Sequence, residues 1–154
     1  MATLSLDEFQ KEILEQEVRA FLAGLADPEA RSRYAALLQE VESGEVTEEH
    51  SGALEGILAI VLESGRARRL YGPAGENTLT SLFHKTPHGS ALVQQANEVN
   101  EALRGLESQI LEGITFRSSG PGSWVLNLQT DRCELTLRID RKGIQVDNLG
   151  VDFG

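Results

Sequence analysis

Cys133-Glu134-Leu135-Thr136-Leu137-Arg138-Ile139-Asp140 is the stretch that decides the fold, because apolar and polar side chains alternate along it without a break. Successive side chains of a strand point to opposite faces, so a period of two predicts a strand with one apolar and one polar face. The same period flanks it on both sides. Ile114 and Phe116 alternate with Thr115 and Arg117, and Trp124, Leu126 and Leu128 with Val125, Asn127 and Gln129. Ile144 and Val146 alternate with Gln145 and Asp147. The segments between are short and rich in turn residues: Ser118-Ser119-Gly120-Pro121-Gly122, Thr130-Asp131-Arg132 and Asp140-Arg141-Lys142-Gly143. The pattern predicts a four-stranded antiparallel β-meander over 113–149, followed by a loosely held tail at 150–154. Cys133, in phase with Leu135 and Leu137, is expected in the core as a small hydrophobe.

Upstream of Gly113 the apolar residues return at steps of three and four instead. Leu6, Phe9, Ile13, Leu14, Val18, Phe21, Leu22 and Leu25 mark one face of a first helix, with Asp7, Glu8 and Glu12 near its start, where the helix dipole favours negative charge. Asp27-Pro28 reads as the N-cap and first position of a second helix that runs to about Gly44. A third helix opens at Thr47, and its middle, Leu54 to Leu62, is apolar nearly all round, which places it at the centre of the core. Gly65 can end that helix as a C-cap, and Arg66 to Leu70 can equally continue it to Tyr71. Gly72-Pro73-Ala74-Gly75 is then a break, with a short helix over 77–85. Thr86-Pro87 opens a last helix running to about Glu112. In it Leu92, Ala96, Val99, Leu103, Leu106 and Ile110 follow heptad-like spacing for fewer than three heptads, which suits packing within a bundle or a homodimer seam.

The prediction is an α+β chain: an N-terminal bundle of about five helices (1–112) packed on the C-terminal meander, as a single domain over 1–154. An apolar sheet face needs a cover, and the helices are the available one.

Of the 154 residues, 24 are acidic and 14 are basic, a net charge of −10. Residues 1–65 hold 14 acidic residues and four basic ones, Lys11, Arg19, Arg31 and Arg33, so this segment carries the whole −10. Such a balance argues against direct binding to nucleic acid or to an anionic membrane surface. The longest apolar run, Ile57 to Leu62, is far short of the roughly 20 residues of a membrane-spanning helix. With one cysteine, Cys133, no internal disulfide or thiolate-rich zinc site can form. The first residues lack the basic and apolar regions of a secretory signal. A cytoplasmic setting is the expectation.

No catalytic signature is assembled. GxxxxGK[ST], GxSxG and HExxH are all absent, and Pro87 interrupts the interval between His84 and His88, so no metal or cofactor is assigned. The densest positive stretch is Arg66, Arg68 and Arg69, followed by Tyr71, His84, Lys85 and His88. If the segment folds back, Arg66, Arg68, Arg69, His84 and His88 would form a site for an anionic small molecule. The acidic candidates for a partner-binding face are Glu8, Glu12, Glu15, Glu40, Glu42, Glu48 and Glu49. The reading leans towards a non-enzymatic regulatory protein, an adaptor or inhibitor whose acidic helical face binds a basic protein. The alternatives are the anion site, bound or catalytic, and a self-assembling subunit paired through the 92–110 seam or the sheet edge.

Overall fold

A computed structural model of the chain describes residues 3–151. The order is α+β, with five helices over residues 8–104 followed by a four-stranded antiparallel sheet. The chain divides into two compact units, Met1–Ser90 and Ala91–Gly154, with the division inside the last helix rather than at the change of period near Gly113. By sequence the first unit holds 15 acidic and eight basic residues, a net of −7, and the second nine and six, a net of −3.

In the first unit the first two helices start where a side chain takes up an unpaired amide. α1 (Glu8–Ala23) is opened by Asp7, whose carboxylate accepts from Gln10 N at 2.7 Å while Gln10 Oε1 accepts from Asp7 N at 3.0 Å. α2 (Pro28–Ser43) is capped by Asp27, which accepts from Ala30 N. α3 (Glu48–Glu63) begins after Thr47 and ends at Ser64, so Gly65 opens the next helix instead of closing this one. Ile13, Leu14 and Val18 of α1, Leu37 and Val41 of α2, and Leu54, Ile57, Leu58 and Val61 of α3 form one buried cluster. Each fully buried Leu or Ile contributes about 1.5–3 kcal/mol, which is what holds these charged helices together.

α4 (Arg66–Phe83) departs from the expected break and restart. The helical path is interrupted at Gly72 alone, at φ 71° and ψ −175°, and resumes at once with Pro73 rather than at Asn77. A positive φ suits glycine, and proline's fixed φ suits the first helical position that follows. Ala67, Leu79 and Leu82 join the same cluster. A two-stranded element, β1 (Leu4–Ser5) with β2 (Glu45–Val46), was not expected; such short strands carry no periodicity, and here Leu4 pairs with Val46. Among the described residues, no helix is long and apolar enough to cross a membrane.

α5 (Pro87–Arg104) stops eight residues before the expected end, at Gly105, where glycine weakens the helix and Gly105 N turns to Ala102 O. β3 (Leu111–Gly120), β4 (Ser123–Thr130), β5 (Cys133–Asp140) and β6 (Gly143–Val151) then form the meander in sequence order. β6 runs to Val151, past the expected start of the tail, whose residues 152–154 lie outside the described residues. In register, Ile114, Leu128, Leu135 and Leu149 form one apolar row, and Phe116, Leu126, Leu137 and Val146 another. Leu149 joins this face through an irregularity opposite Thr136 and Leu137, where the extra residue Asp147 shifts the phase of β6. Val99 of α5 is buried against Leu135 and Leu137, with Leu103 and Leu106 packed beside them. Val99, Leu103 and Leu106 of the 92–110 seam are therefore packed on the chain's own sheet, while Ala96 and Ile110 are exposed. Cys133 is a buried free thiol.

Candidate functional site

Glu17 projects from the buried stripe of α1, and only 4% of its surface reaches solvent. An isolated carboxylate at such a place would be strongly disfavoured, so its partners define the site. Arg66, the first residue of α4, donates from Nε to Glu17 Oε2 at 2.8 Å, and the hydroxyl of Tyr71 donates to Oε1. Tyr71 reaches Glu17 because the chain turns at Gly72 and because Gly75 is bare: a Cβ at Gly75 would stand 2.2 Å from Tyr71 Cβ. Burial, and then the hydrogen bond to Glu17, raise the Tyr71 phenol above its ordinary value. The hydrogen bond to Glu17 likewise raises Arg66. Arg66 and Tyr71 are thus both held in their protonated, donating forms beside the Glu17 side chain.

Beside this pair lies a pocket of about 200 Å³, lined by Glu17, Ala20 and Phe21 of α1, Ile57, Ile60 and Val61 of α3, and Arg66. Ile60 belongs to the helix that the sequence reads as apolar all round, yet its side chain is exposed. The sequence offered two signals for this place: an apolar residue beyond what one buried stripe needs, and a glutamate, Glu17, between buried Leu14 and Val18. Neither pointed to the other, because they meet only through the packing of α1 on α3.

Of the five candidate anion ligands, Arg66 is the one tied into this arrangement. Arg68 and Arg69 are exposed on α4. His84 and His88 both lie at Phe83, with ring centroids 6.3 and 6.1 Å from the phenyl ring, and His88 N donates to Glu55 Oε2 at 3.0 Å. No hydrogen bond or ion pair among the described residues joins any of the five to another. Among the described residues, no group of three His, Cys, Asp or Glu is placed to hold a metal ion.

The acidic candidates also take different places. Glu40 accepts from Thr47 N at 3.1 Å and from Thr47 Oγ1 at 2.7 Å, clasping the end of α2 to the start of α3. His50 Nδ1 stands 3.0 Å from Glu40 Oε1, an ionic contact when the ring is protonated, although its direction does not meet hydrogen-bond geometry. Burial works to raise the Glu40 carboxyl, but Thr47 and His50 together hold it below its ordinary range. Glu42 is paired with Arg19 at 2.9 Å, and Glu15 lies 3.9 Å from the same arginine. Glu48 faces a depression that also holds Lys85, and Glu49 is exposed beside it in sequence. Glu8, Glu12 and Glu15 line one surface depression together with Phe9 and Lys11.

The polar face of the sheet carries cross-strand ladders: Asn127 Nδ2 donates to Glu134 Oε1 and Thr136 Oγ1, and Arg138 pairs with Asp147 at 3.2 Å. Val125 is buried on that face between its register neighbours Arg117 and Arg138, whose aliphatic stems suit such a cover. The opposite face is apolar and incompletely covered: Phe116 is 59% and Trp124 43% exposed, their rings stacked 5.5 Å apart. Comparison of the chain with protein-family models, with curated proteins and with solved structures gives no match.

Proposed function

We propose that this chain is a small non-enzymatic interaction protein, an adaptor or inhibitor that binds a basic partner protein through α1. The observation that carries the reading is the depression that Glu8, Glu12 and Glu15 line together with Lys11 and with Phe9, which is 46% exposed, three acidic groups to one basic. An apolar anchor inside an acidic rim suits a lysine- or arginine-rich segment that carries one apolar side chain. The net −7 of the first unit adds a long-range attraction that salt screens. The lone buried thiol supports a reducing, cytoplasmic setting. The test is calorimetric titration with lysine-rich peptides, with and without a central leucine, at low and high salt. The expected result is salt-sensitive binding that the leucine strengthens and that the double variant Glu8→Lys, Glu12→Lys weakens about tenfold or more. Binding that ignores both salt and the charge reversal would remove the reading.

A second reading, self-association, is supported by the apolar sheet face of the second unit, where Ile114, Phe116, Trp124 and Leu149 are all exposed. Sedimentation over a concentration series, with Phe116→Ser as the control, separates it from a strictly monomeric species.

A further inference from the structure

We infer that the pocket between α1 and α3 is a binding site for a small carboxylic acid with an apolar body, its carboxylate held by Arg66. The body of the ligand is set by the walls. Phe21, Ile57, Ile60 and Val61 offer hydrocarbon surface, and about 200 Å³ is room for one ring or a short chain. Dry apolar cavities of about 150 Å³ already accept benzene.

The head group is set by Arg66. Its side chain is 40% exposed, and Glu17 engages it through Nε alone, so Nη1 and Nη2 take no protein partner among the described residues. Those two nitrogens form a planar donor pair that matches a carboxylate, and the guanidinium charge is spread over both. Glu17 leaves those two nitrogens to the ligand, because it accepts from Arg66 Nε and from the Tyr71 hydroxyl instead. It fixes the guanidinium and lets an apolar pocket hold a charge. The buried carboxylate also limits the ligand's charge. With Glu17 offsetting Arg66 inside a unit of net −7, a phosphate dianion is repelled more strongly than a monoanion, which the two free guanidinium nitrogens can hold by hydrogen bonds.

Benzoate titrated into the ¹⁵N-labelled protein tests this, with benzamide and acetate as probes of the head and the body. The expected result is saturable benzoate binding with shifts centred on Ala20, Phe21, Ile60 and Arg66. Benzamide and acetate should each bind about tenfold or more weakly. Arg66→Gln should abolish the benzoate response, and Ala20→Leu, which fills the pocket from an exposed position and leaves Arg66 in place, should do the same. The inference is overturned if benzoate does not saturate, if acetate or benzamide matches it, or if either variant binds benzoate as the wild type does. Should Arg66→Gln fail to fold, Ala20→Leu alone decides.

Discussion

The two units bury their apolar residues to very different extents. In Met1–Ser90 the stripes of α1 to α4 meet in one cluster with Leu14, Leu37, Leu54, Leu58, Leu79 and Leu82 fully enclosed. In Ala91–Gly154 the fully enclosed face of the sheet is little more than Leu135 and Leu137 beneath Val99, while Ile114, Phe116, Trp124 and Leu149 on that face stay exposed. Val99, Ala102 and Leu103 of α5 pack around Leu135 and Leu137 and leave those four residues exposed. An apolar stripe on a helix is therefore matched by burial here, whereas an apolar face on the sheet shows sidedness without cover. The largest expected effect follows directly. Leu58→Ala should cost about 2–5 kcal/mol, since a cavity opens in the enclosed cluster, while Trp124→Ser, which removes a partly exposed ring stacked on Phe116, should cost less, about 1–2 kcal/mol. Urea unfolding of the two variants checks this, and a Trp124→Ser loss as large as that of Leu58→Ala would break the contrast.

Much of this was legible in the sequence for a physical reason. Period and caps are local properties, so Asp27-Pro28, Thr47 and Thr86-Pro87 mark helix starts that the structure keeps. The alternation around Leu135 likewise gives four strands in the observed order. What was not legible depends on residues far apart in the chain. Strands of two residues, such as β1 and β2, exist only because Leu4 finds Val46. The phase shift at Asp147 appears only against Thr136. In the candidate site, Arg66 stood out as a charge in a basic run, but its partner Glu17 is 49 residues away and read as one more acidic residue of an acidic helix. Composition counts such charges; it does not show which are already satisfied.

A smaller effect sharpens the comparison from the side of the second unit. Gly143, the first residue of β6 after the Arg141-Lys142 turn, holds φ at 120° and lies against α5, so that a Cβ there would stand 2.0 Å from Gln95 Oε1 and 2.9 Å from Leu92 Cδ2. Gly143→Ala should cost about 1–3 kcal/mol through backbone strain and displacement of Leu92. Gly113→Ala, with Gln129 no nearer than 3.8 Å, should be much milder. If thermal unfolding shows the two variants to be equal, the turn is not the point where α5 and the sheet are fixed to one another.

The smallest expected effect belongs to the first unit and is read against pH. Glu40 joins α2 to α3 through Thr47, and its carboxyl lies below the ordinary value despite the opposing effect of burial. A carboxyl whose folded value is depressed binds its proton more readily in the unfolded chain. Its contribution is thus fully present above the unfolded value of about 4.5 and is lost as pH falls through the lower folded value. Glu40→Gln keeps one carbonyl acceptor for Thr47 but loses the charge, so it should cost about 1 kcal/mol at neutral pH. Wild type and variant should then converge on acidification below that window. A difference unchanged from pH 7 down to pH 3 would mean that Glu40 acts through shape alone, and that the charged groups of the helical unit, unlike its apolar stripes, contribute little to holding α2 on α3.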